Sequence, residues 1–537
     1  MVRAITIDEQ RAQRMRDEGY WDGTTCFQHL ETTASKSPNR TAIVDRAGSM
    51  TYGELLAEVE RASSALAALG VGVGDVVSWQ LPNWREGAIL HFAAVRIGAI
   101  SNPIVAIYRE REISFILEKA ASKVLVVPDE FRNYDYGQMA RTVVDGAPNP
   151  CTVISVGATP SADLEWSDFL ARGAERVDAA EQHGDRLSLL QFTSGTTADA
   201  KGVLHTNDTM SWEARSYSKV WGVREDDAVL AVSPIGHMAG LLGGVFVPAL
   251  TGIPSVYLDR WDPEAAVRLI EEHRCTVAAG AAPFLSGIVT SPAREQHDIS
   301  SFRFFSVGGS DVPPALIRAA GDIGIVAART YGCTECPTIS AGTAEDAFDT
   351  RALTDGVLQP GVRIKVVRAD GSEAEPGEIG EFVVDAPMRT VGYLDPAHEE
   401  DSLGAGGWYR TGDLGVVEDG RLRVTGRSKD IIIRGGENIS AKEVEDVLHE
   451  YAELSQVAVV GLPDEVLGER VVAFVTPRVG STVEDVDARS VLERVASSGL
   501  AKQKVPERII VVDELPQTAS GKIQKFKLRA RLRDGSA

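Results

Sequence analysis

One short segment of the chain places hydroxyl groups and glycines beside a lysine, between two apolar runs. Hydroxyls and backbone N–H groups in such a turn can donate hydrogen bonds to phosphate oxygens, and a lysine adds a point charge. A Ser/Thr/Gly turn without a ligand is the alternative for this segment taken alone. The spacing G-x-x-x-x-G-K-[ST] of the common P-loop is absent here. The residues that could bind phosphate are Thr193, Ser194, Gly195, Thr196, Thr197 and Lys201.

Four charged residues elsewhere would also suit an anionic ligand, although each has a simpler explanation in isolation. Glu335 belongs to a Thr-Glu pair in a turn, and Asp413 belongs to a Gly-Asp turn. Arg427 and Lys522 have the character of solvated surface cations, because isolated surface charges and basic runs near a terminus usually face water. These four residues become informative only in combination with other segments.

Composition argues against several classes of protein. The 55 Lys and Arg and the 77 Asp and Glu residues give a formal net charge of −22, so nucleic acid and anionic membranes are not expected partners. Five scattered cysteines do not suggest a disulfide framework, and charges near the N-terminus interrupt any signal peptide. We therefore predict a cytoplasmic protein. Residues 228–258 carry no charged side chain, but their prolines and glycines predict strands and a short helix in place of a membrane span.

The elements that would position these residues alternate between helix and strand. A helix is predicted over residues 51–69, where Thr51 and Glu54 form a capping box. The alternation continues through residues 76–104, 113–127, 263–280 and 314–327. It predicts a mainly parallel sheet with ligands beyond the carboxyl ends of its strands, where the turns after residues 192 and 307 would share one edge.

The pattern changes after residue 361, where short strands between Gly, Pro and Asp turns predict a small β-barrel-like unit. Residues 442–512 then predict a separate mixture of helices and strands, which suits a small domain. The predicted fold class is α/β: a large N-terminal domain of parallel α/β layers with the small β unit, and a small mobile α+β C-terminal domain. We place these domains at residues 1–428 and 429–537.

Six segments, taken together, are similar to the signature segments of the adenylate-forming superfamily, in its acyl-CoA synthetase branch. The similarity spans residues 51–530. It implies that a carboxylate attacks the α-phosphorus of ATP to give acyl-AMP and pyrophosphate, after which the thiol of coenzyme A displaces AMP. The segments are Thr193-Ser-Gly-Thr-Thr-Ala-Asp-Ala-Lys-Gly-Val203, Tyr331-Gly-Cys-Thr-Glu335, Tyr409-Arg-Thr-Gly-Asp-Leu414, Gly426-Arg-Ser-Lys-Asp430, Gly435-Gly-Glu-Asn-Ile439 and Pro516-Gln-Thr-Ala-Ser-Gly-Lys-Ile523.

The resemblance implies a role for each part of the nucleotide site. Residues 193–197 and Lys201 would contact the β- and γ-phosphates, Thr334 would contact phosphate, and Glu335 would hold Mg²⁺, which favours few protein oxygens. Tyr331, followed by Gly332, would stack on adenine.

The resemblance also implies how ribose, carboxylate and thiol are handled. Asp413 would accept both ribose hydroxyls, Arg427 would approach ribose and phosphate, and Lys522 would neutralise the carboxylate and α-phosphate. The small domain would then swing about a hinge at Lys429. The pantetheine tunnel would be lined by Arg434, Gly435 and Gly436. The implied cofactors are ATP, Mg²⁺ and coenzyme A.

The segment ending at His237 resembles the one that borders the acyl pocket in this superfamily. Amino-acid-activating members carry an Asp near this point, whereas Met238 and Ala239 here favour an apolar acid. A purely structural His that caps a helix is the alternative. Small residues would form another wall of the pocket and leave room for a ring or a medium chain: Gly308, Gly309 and Ser310. The expected partner is a medium-chain, cyclic or aryl carboxylic acid.

Two alternatives to a coenzyme A ligase remain from the sequence. One is an acyl-AMP ligase that loads a carrier protein, and the other is a catalytically silent nucleotide-binding scaffold. The sequence also leaves open whether the protein forms a homodimer.

Two features depart from a simple interpretation. Ala198 and Ala200 stand where the superfamily usually has Gly and Pro, which puts the closed form of the phosphate loop in doubt. Cys333 and Cys336 form a C-x-x-C pair, but a zinc site would need a second pair.

Overall fold

The computed structural model describes residues 7–193, 200–309, 312–404, 407–434, 437–464, 467–498, 500–518 and 521–534. The predicted fold class is confirmed, with a large N-terminal region of sheets and helices and a smaller C-terminal α+β region. The α-helices are α1 (Glu9–Asp17), α2 (Cys26–Lys36), α3 (Tyr52–Ala68), α4 (Arg85–Arg96), α5 (Glu110–Ala120), α6 (Tyr136–Asp145), α7 (Trp166–Ala171), α8 (Asn207–Val220), α9 (Met238–Leu241), α10 (Val247–Thr251), α11 (Pro263–His273), α12 (Ala282–Thr290), α13 (Pro314–Asp322), α14 (Phe348–Leu353), α15 (Glu399–Ser402), α16 (Ala441–Leu448), α17 (Ala488–Ala496) and α18 (Lys525–Arg533).

The strands precede, separate and follow these helices. They are β1 (Thr41–Asp45), β2 (Gly48–Thr51), β3 (Val76–Trp79), β4 (Ile100–Pro103), β5 (Val124–Pro128), β6 (Glu130–Phe131), β7 (Tyr134–Asp135), β8 (Thr152–Val156), β9 (Leu164–Glu165), β10 (Leu187–Thr193), β11 (Lys201–Thr206), β12 (Val229–Ala231), β13 (Ser255–Tyr257), β14 (Val277–Gly280), β15 (Phe304–Gly308), β16 (Val326–Cys333), β17 (Cys336–Ala341), β18 (Val357–Leu358), β19 (Arg363–Val367), β20 (Gly380–Asp385), β21 (Gly392–Tyr393), β22 (Tyr409–Glu418), β23 (Arg421–Arg427), β24 (Ile431–Arg434), β25 (Glu437–Ser440), β26 (Leu454–Asp464), β27 (Gly468–Pro477) and β28 (Arg508–Val511).

A 13-stranded sheet contains the parallel core and the predicted β unit. Its order is β19-β20-β22-β23-β18-β17-β16-β15-β14-β12-β13-β1-β2. The strands from β1 through β13, β12, β14 and β15 to β16 pair in parallel, as the alternating sequence pattern predicts. The β unit adds antiparallel strands to one edge of this sheet, because β23 pairs with β18.

An 8-stranded sheet in the order β21-β11-β10-β4-β3-β5-β8-β9 lies beside the first. One buried apolar cluster contains side chains of both sheets and of the helices α3, α4 and α8. Strands β10 and β15, which precede the two predicted turns, therefore belong to two sheets and do not share one edge, which corrects that expectation. The sequence could not show this difference, since strand order depends on contacts far apart along the chain.

Local sequence signals correspond closely to several elements. Thr51 and Glu54 form the predicted capping box of α3, and α11 begins at Pro263, where the predicted alternation over residues 263–280 starts, with Asp262 as its N-cap. The uncharged stretch forms β12, α9, a π-helix over Leu242–Phe246, α10 and β13. Within the described ranges, none of the helices combines the length and apolar character needed to span a membrane.

The C-terminal region contains a 5-stranded sheet of β24 to β28. Two buried apolar clusters there consist of residues between Ile432 and Leu532, so this region has core packing of its own. The boundary at residues 428 and 429 stays a prediction. Within the predicted mixture of helices and strands, residues 483–496 form a 3-10 turn, Val483–Asp485, and α17, because Asp487 accepts from the Arg489 N–H and begins a new helix.

Asn83, which follows β3, ties the two sheets together. It is 3% exposed, and its side-chain nitrogen donates to the carbonyl groups of Ala231, Ser233 and Leu258, each at 3.0 Å. Its side-chain oxygen accepts from the Ile235 N–H at 2.8 Å. One buried amide thus fixes the segment after β12, which leads to the predicted acyl pocket.

We expect Asn83→Ala to destabilise the fold, because buried carbonyl groups would lose their donor. The midpoint of thermal unfolding should fall by roughly 4 °C or more, as for a loss of a few kcal/mol. Asn39→Ala, at an exposed position, is the matched control. A midpoint for Asn83→Ala equal to that of the control would contradict this role.

Candidate active site

A cavity of about 1700 Å³ brings most of the predicted site residues together. The wall includes residues of both large sheets and of the C-terminal region, so the site depends on the whole fold. The predicted residues that line it are Thr193, Lys201, His237, Gly308, Gly309, Tyr331, Gly332, Thr334, Glu335, Asp413, Arg427 and Lys522. Seven predicted residues lie outside the described ranges: Ser194, Gly195, Thr196, Thr197, Ser310, Gly435 and Gly436.

The predicted phosphate segment begins and ends in an antiparallel pair of strands. Thr193, the last residue of β10, is paired with Lys201, the first residue of β11. The Lys201 Nζ atom lies 5.4 Å from the ring centroid of Tyr393, so the ammonium group faces an aromatic ring. Ala198 lies outside the described residues, and its effect on the loop stays a prediction.

Thr334 and Glu335 form the turn between β16 and β17 and are held by residues that sequence reasoning missed. Tyr393 OH donates to Glu335 Oε1 at 2.9 Å, and the Glu335 side chain is largely buried. The Thr334 carbonyl lies 2.8 Å from His205 Nε2, which can donate to it in the Nε2–H tautomer. Tyr393 and His205 are both distant in sequence from this turn, and the residues around them do not indicate the contact.

Asp413 connects Tyr331 to Arg427 across three strands. Tyr331 OH donates to Asp413 Oδ2 at 2.7 Å, and Arg427 Nε donates to Asp413 Oδ1 at 2.5 Å. Burial and the Asp413 charge raise the pKa of Tyr331, so the phenol remains a donor. Each carboxylate oxygen has a second lone pair, so Asp413 can still accept further hydroxyl groups.

Lys522 reaches the same cavity from the C-terminal region. A Cβ on the preceding Gly521 would lie 3.3 Å from Pro283 Cγ, which shows that this turn packs against the N-terminal region. Surrounding protein and the positive charge of Arg427 lower the pKa of Lys522, although its side chain still contacts solvent in the cavity. Arg434 does not line the cavity; its Nε donates to Glu507 Oε1 at 2.7 Å.

His237 combines the two roles that the sequence left open. Its Nδ1 accepts from the Ala239 N–H at 3.4 Å and caps α9, while the ring also lines the cavity. Burial and the charge of Lys522 lower the pKa of His237 to about 4, so the ring is neutral at pH 7. It can therefore bound an apolar pocket without adding charge.

Two glycines of the cavity wall are required by close backbone approaches. A Cβ on Gly308 would lie 2.3 Å from the Thr330 carbonyl oxygen, and one on Gly332 would lie 1.9 Å from the Pro337 carbonyl oxygen.

Cys333 and Cys336 face each other across the β16–β17 turn. The residues that the structure describes contain no cluster of three or more His, Cys, Asp or Glu side chains suited to a metal ion.

Glu213, on α8, is a further charged residue that sequence reasoning missed. It has no exposed surface, Thr338 Oγ1 donates to its Oε1, and its Oε2 has no hydrogen-bond partner among the described residues. Burial raises the pKa of Glu213 to about 8, so the carboxyl group is mostly protonated at pH 7. Thr338 in turn lines the cavity.

The fold and the cavity define a nucleotide-binding enzyme with carboxylates and cations around one site. A family model described as AMP-binding enzyme matches residues 30–394, and one described as AMP-binding enzyme C-terminal domain matches residues 443–522. The chain belongs to this family, the adenylate-forming superfamily. It is an AMP-forming acid–thiol ligase with acyl-adenylate ligase activity, as the sequence predicted.

Named relatives and a solved structure agree with this assignment. A medium-chain fatty-acid–CoA ligase of Escherichia coli (strain K12) is 35% identical, over 98% of this chain and 93% of the relative. A protein named salicyl-AMP ligase / salicyl-S-ArCP synthetase of Mycobacterium tuberculosis (strain H37Rv) is 32% identical, over 97% of this chain and 93% of the relative. The crystal structure of the anthranilate CoA ligase AuaEII in complex with anthranoyl-AMP has a TM-score of 0.87 and 26% identity, over 96% of this chain and 98% of that one.

The buried Glu213 predicts a pH-dependent effect of Glu213→Gln on stability. The pKa of Glu213 is about 8 in the folded protein, against 4.5 for a glutamate in an unfolded chain. The contribution of the Glu213 carboxyl group to the free energy of unfolding is therefore fully present below pH 4.5. It falls as the pH rises towards 8, by on the order of 4 kcal/mol. Gln has no proton to lose, so the variant should gain stability relative to the wild type as the pH rises.

Thermal unfolding at about pH 5.5 and pH 8 measures this effect. The difference in midpoint between Glu213→Gln and the wild type should become more positive at the higher pH. Glu225→Gln, at an exposed position, is the control and should show no such trend. A pH-independent difference for Glu213→Gln would mean that Glu213 is ionised in the folded protein.

Proposed function

We propose that this enzyme activates an apolar carboxylic acid, of the medium-chain, cyclic or aryl type, and transfers its acyl group to coenzyme A. One observation supports this most strongly: Glu335, Asp413 and Lys522, from distant parts of the chain, line the same cavity as the apolar wall beside His237. Groups for nucleotide, carboxylate and acyl chain are thus available at one site.

In the first half-reaction, a carboxylate oxygen of the acid attacks the α-phosphorus of ATP, and the bond to the pyrophosphate oxygen breaks. Both reactants are anions, so repulsion between them must be offset where they meet. Lys522 and Arg427 supply two positive charges near Asp413. We assign Lys522 to the carboxylate and α-phosphate, and Arg427 with Asp413 to the ribose side.

The residues at Glu335 are suited to Mg²⁺. Tyr393 holds one oxygen of the Glu335 carboxylate, which leaves the other for a metal, and Mg²⁺ needs only one or two protein carboxylates when phosphates complete its shell. Mg²⁺, when bound, would neutralise the phosphates of the leaving pyrophosphate. Lys201 and Thr193, at the paired ends of β10 and β11, would bind the same phosphates.

The apolar character of the acid follows from the residues beside His237. Met238, Ala239 and Leu242 line this part of the cavity, and His237 is neutral at pH 7. A charged ammonium group here would lose hydration and meet no carboxylate from the residues that follow His237, which disfavours an amino acid.

In the second half-reaction a thiolate attacks the acyl carbonyl carbon, and the bond to the AMP oxygen breaks. Arg434 would have to move from Glu507 to reach this step, which is consistent with a swing of the C-terminal region. A carrier-protein thiol is the second candidate acceptor, because one relative is named salicyl-S-ArCP synthetase. Release of AMP that depends on free coenzyme A and on the acid would favour coenzyme A.

We expect Lys522→Ala to slow acyl-AMP formation by at least about 10²-fold, because one charge-stabilising donor would be lost. Pyrophosphate exchange that depends on the carboxylic acid measures this step. Lys502→Ala removes an exposed lysine of the same region and should leave the rate unchanged. Near-normal exchange in Lys522→Ala would contradict the assignment.

Lys429→Pro should separate the two half-reactions. Lys429 is exposed in the 3-10 turn Ser428–Asp430, and proline would restrict the backbone rotation that a hinge requires. We expect normal pyrophosphate exchange but a slower reaction of preformed acyl-AMP with coenzyme A. Lys429→Ala, which keeps the backbone freedom, is the control. An equal loss of both steps in Lys429→Pro would rule out a hinge at this residue.

A further inference from the structure

One nearly buried part of the cavity wall carries three hydroxyl groups. Tyr217 on α8, Ser306 on β15 and Thr338 on β17 all line the cavity, yet they are only 5%, 1% and 2% exposed. We call these three residues the hydroxyl floor.

Hydrogen bonds from the protein fix the hydroxyl floor in place. Tyr217 OH donates to Ser306 Oγ at 3.0 Å, and Thr338 Oγ1 donates to Glu213. Glu213 and Tyr217 lie one helical turn apart on α8, so the two hydrogen-bonded pairs are neighbours. Ser306 accepts from Tyr217 and has a hydroxyl hydrogen of its own to donate.

The floor lies at the acyl end of the cavity. Trp221 packs against Tyr217, with ring centroids 5.1 Å apart. A Cβ on Gly243, which follows the cavity residue Leu242, would lie 3.1 Å from the Trp221 ring and 3.9 Å from Ala279 Cβ. The floor thus adjoins the helical segment that begins at His237, where the proposed function places the acyl group.

The floor combines polar atoms with rigid aromatic side chains. Tyr217 and Trp221 are both buried aromatic residues, and their rings pack against each other beside Ser306. An alkyl end placed against Ser306 would offer no acceptor to the Ser306 hydroxyl hydrogen. A compact ring with a hydrogen-bonding group at its far edge packs against the Tyr217 side chain and provides a hydrogen-bond partner for the Ser306 hydroxyl.

We propose that the substrate is a ring carboxylic acid bearing a hydroxyl or amino group on the side away from its carboxylate, which Tyr217 and Ser306 recognise. This inference rests on the proposed function and names the acid more closely. A ligand hydroxyl could accept from Ser306 and donate to the Tyr217 oxygen, whereas an amino group could donate to either oxygen. Tyr217 and Ser306 are therefore specificity-determining residues.

The test compares pairs of acids that differ only by the polar group. Benzoate, phenylacetate and cinnamate are each paired with their ring-hydroxylated and ring-amino derivatives, and octanoate serves as the linear acid. In at least one pair, the substituted acid should have a kcat/KM about 10-fold or more above that of its parent, and above that of octanoate, as a matched buried hydrogen bond requires. The assay is pyrophosphate exchange with the full-length protein.

Variants then test whether Tyr217 and Ser306 recognise the polar group of the acid. Tyr217→Phe and Ser306→Ala should each reduce the preference for the substituted acid over its parent acid to within about 3-fold. Because the measured quantity is a ratio between two acids, a general loss of folded protein does not alter it. Val312→Ala, at an apolar cavity residue outside the floor, is the control and should keep the preference.

Four results would overturn the inference. Octanoate could exceed every ring acid, or the parent acids could equal their substituted partners; either result would leave the proposed ligase activity intact. An unchanged preference in both floor variants would move the recognition to another part of the cavity. Exchange with none of the acids would instead overturn the proposed function together with this inference.

Discussion

The hydrogen-bonded carboxylate of Asp413 is the contact on which the site depends. It joins Tyr331 of β16 to Arg427 of β23, and Lys522 approaches the same charges from the C-terminal region. In a chain with a net charge of −22, anionic ligands are attracted only where cations are held locally. Asp413 holds Arg427 in place and leaves lone pairs for the ligand.

The cavity shows how distant segments cooperate around this contact. β21 provides Tyr393, which pairs through its backbone with β11, holds Glu335 through its hydroxyl and presents its ring to Lys201. The phosphate segment and the turn at Glu335 are therefore coupled through one buried tyrosine. The C-terminal turn at Gly521 packs against Pro283 and forms part of the same cavity wall.

Local signals in the sequence predicted much of the fold and of the site. The capping box of α3 and the strand preceding Gly308 depend on neighbouring residues and were correctly placed. Helix α18 was missed, because its basic residues hide the buried pair Leu528 and Leu532. The contacts of Tyr393, His205 and Glu213 could not be predicted, since each joins segments that meet only in the folded chain.

Transfer of oxygen from the acid to AMP is the most direct test of the account. If the carboxylate attacks the α-phosphorus and the acyl carbon is then attacked by the thiol, one carboxylate oxygen stays on phosphorus. With an ¹⁸O-labelled acid, ATP, Mg²⁺ and coenzyme A, mass spectrometry should find one ¹⁸O atom in each AMP released. Unlabelled AMP, or label in phosphate or pyrophosphate, would contradict formation of an acyl adenylate at this site.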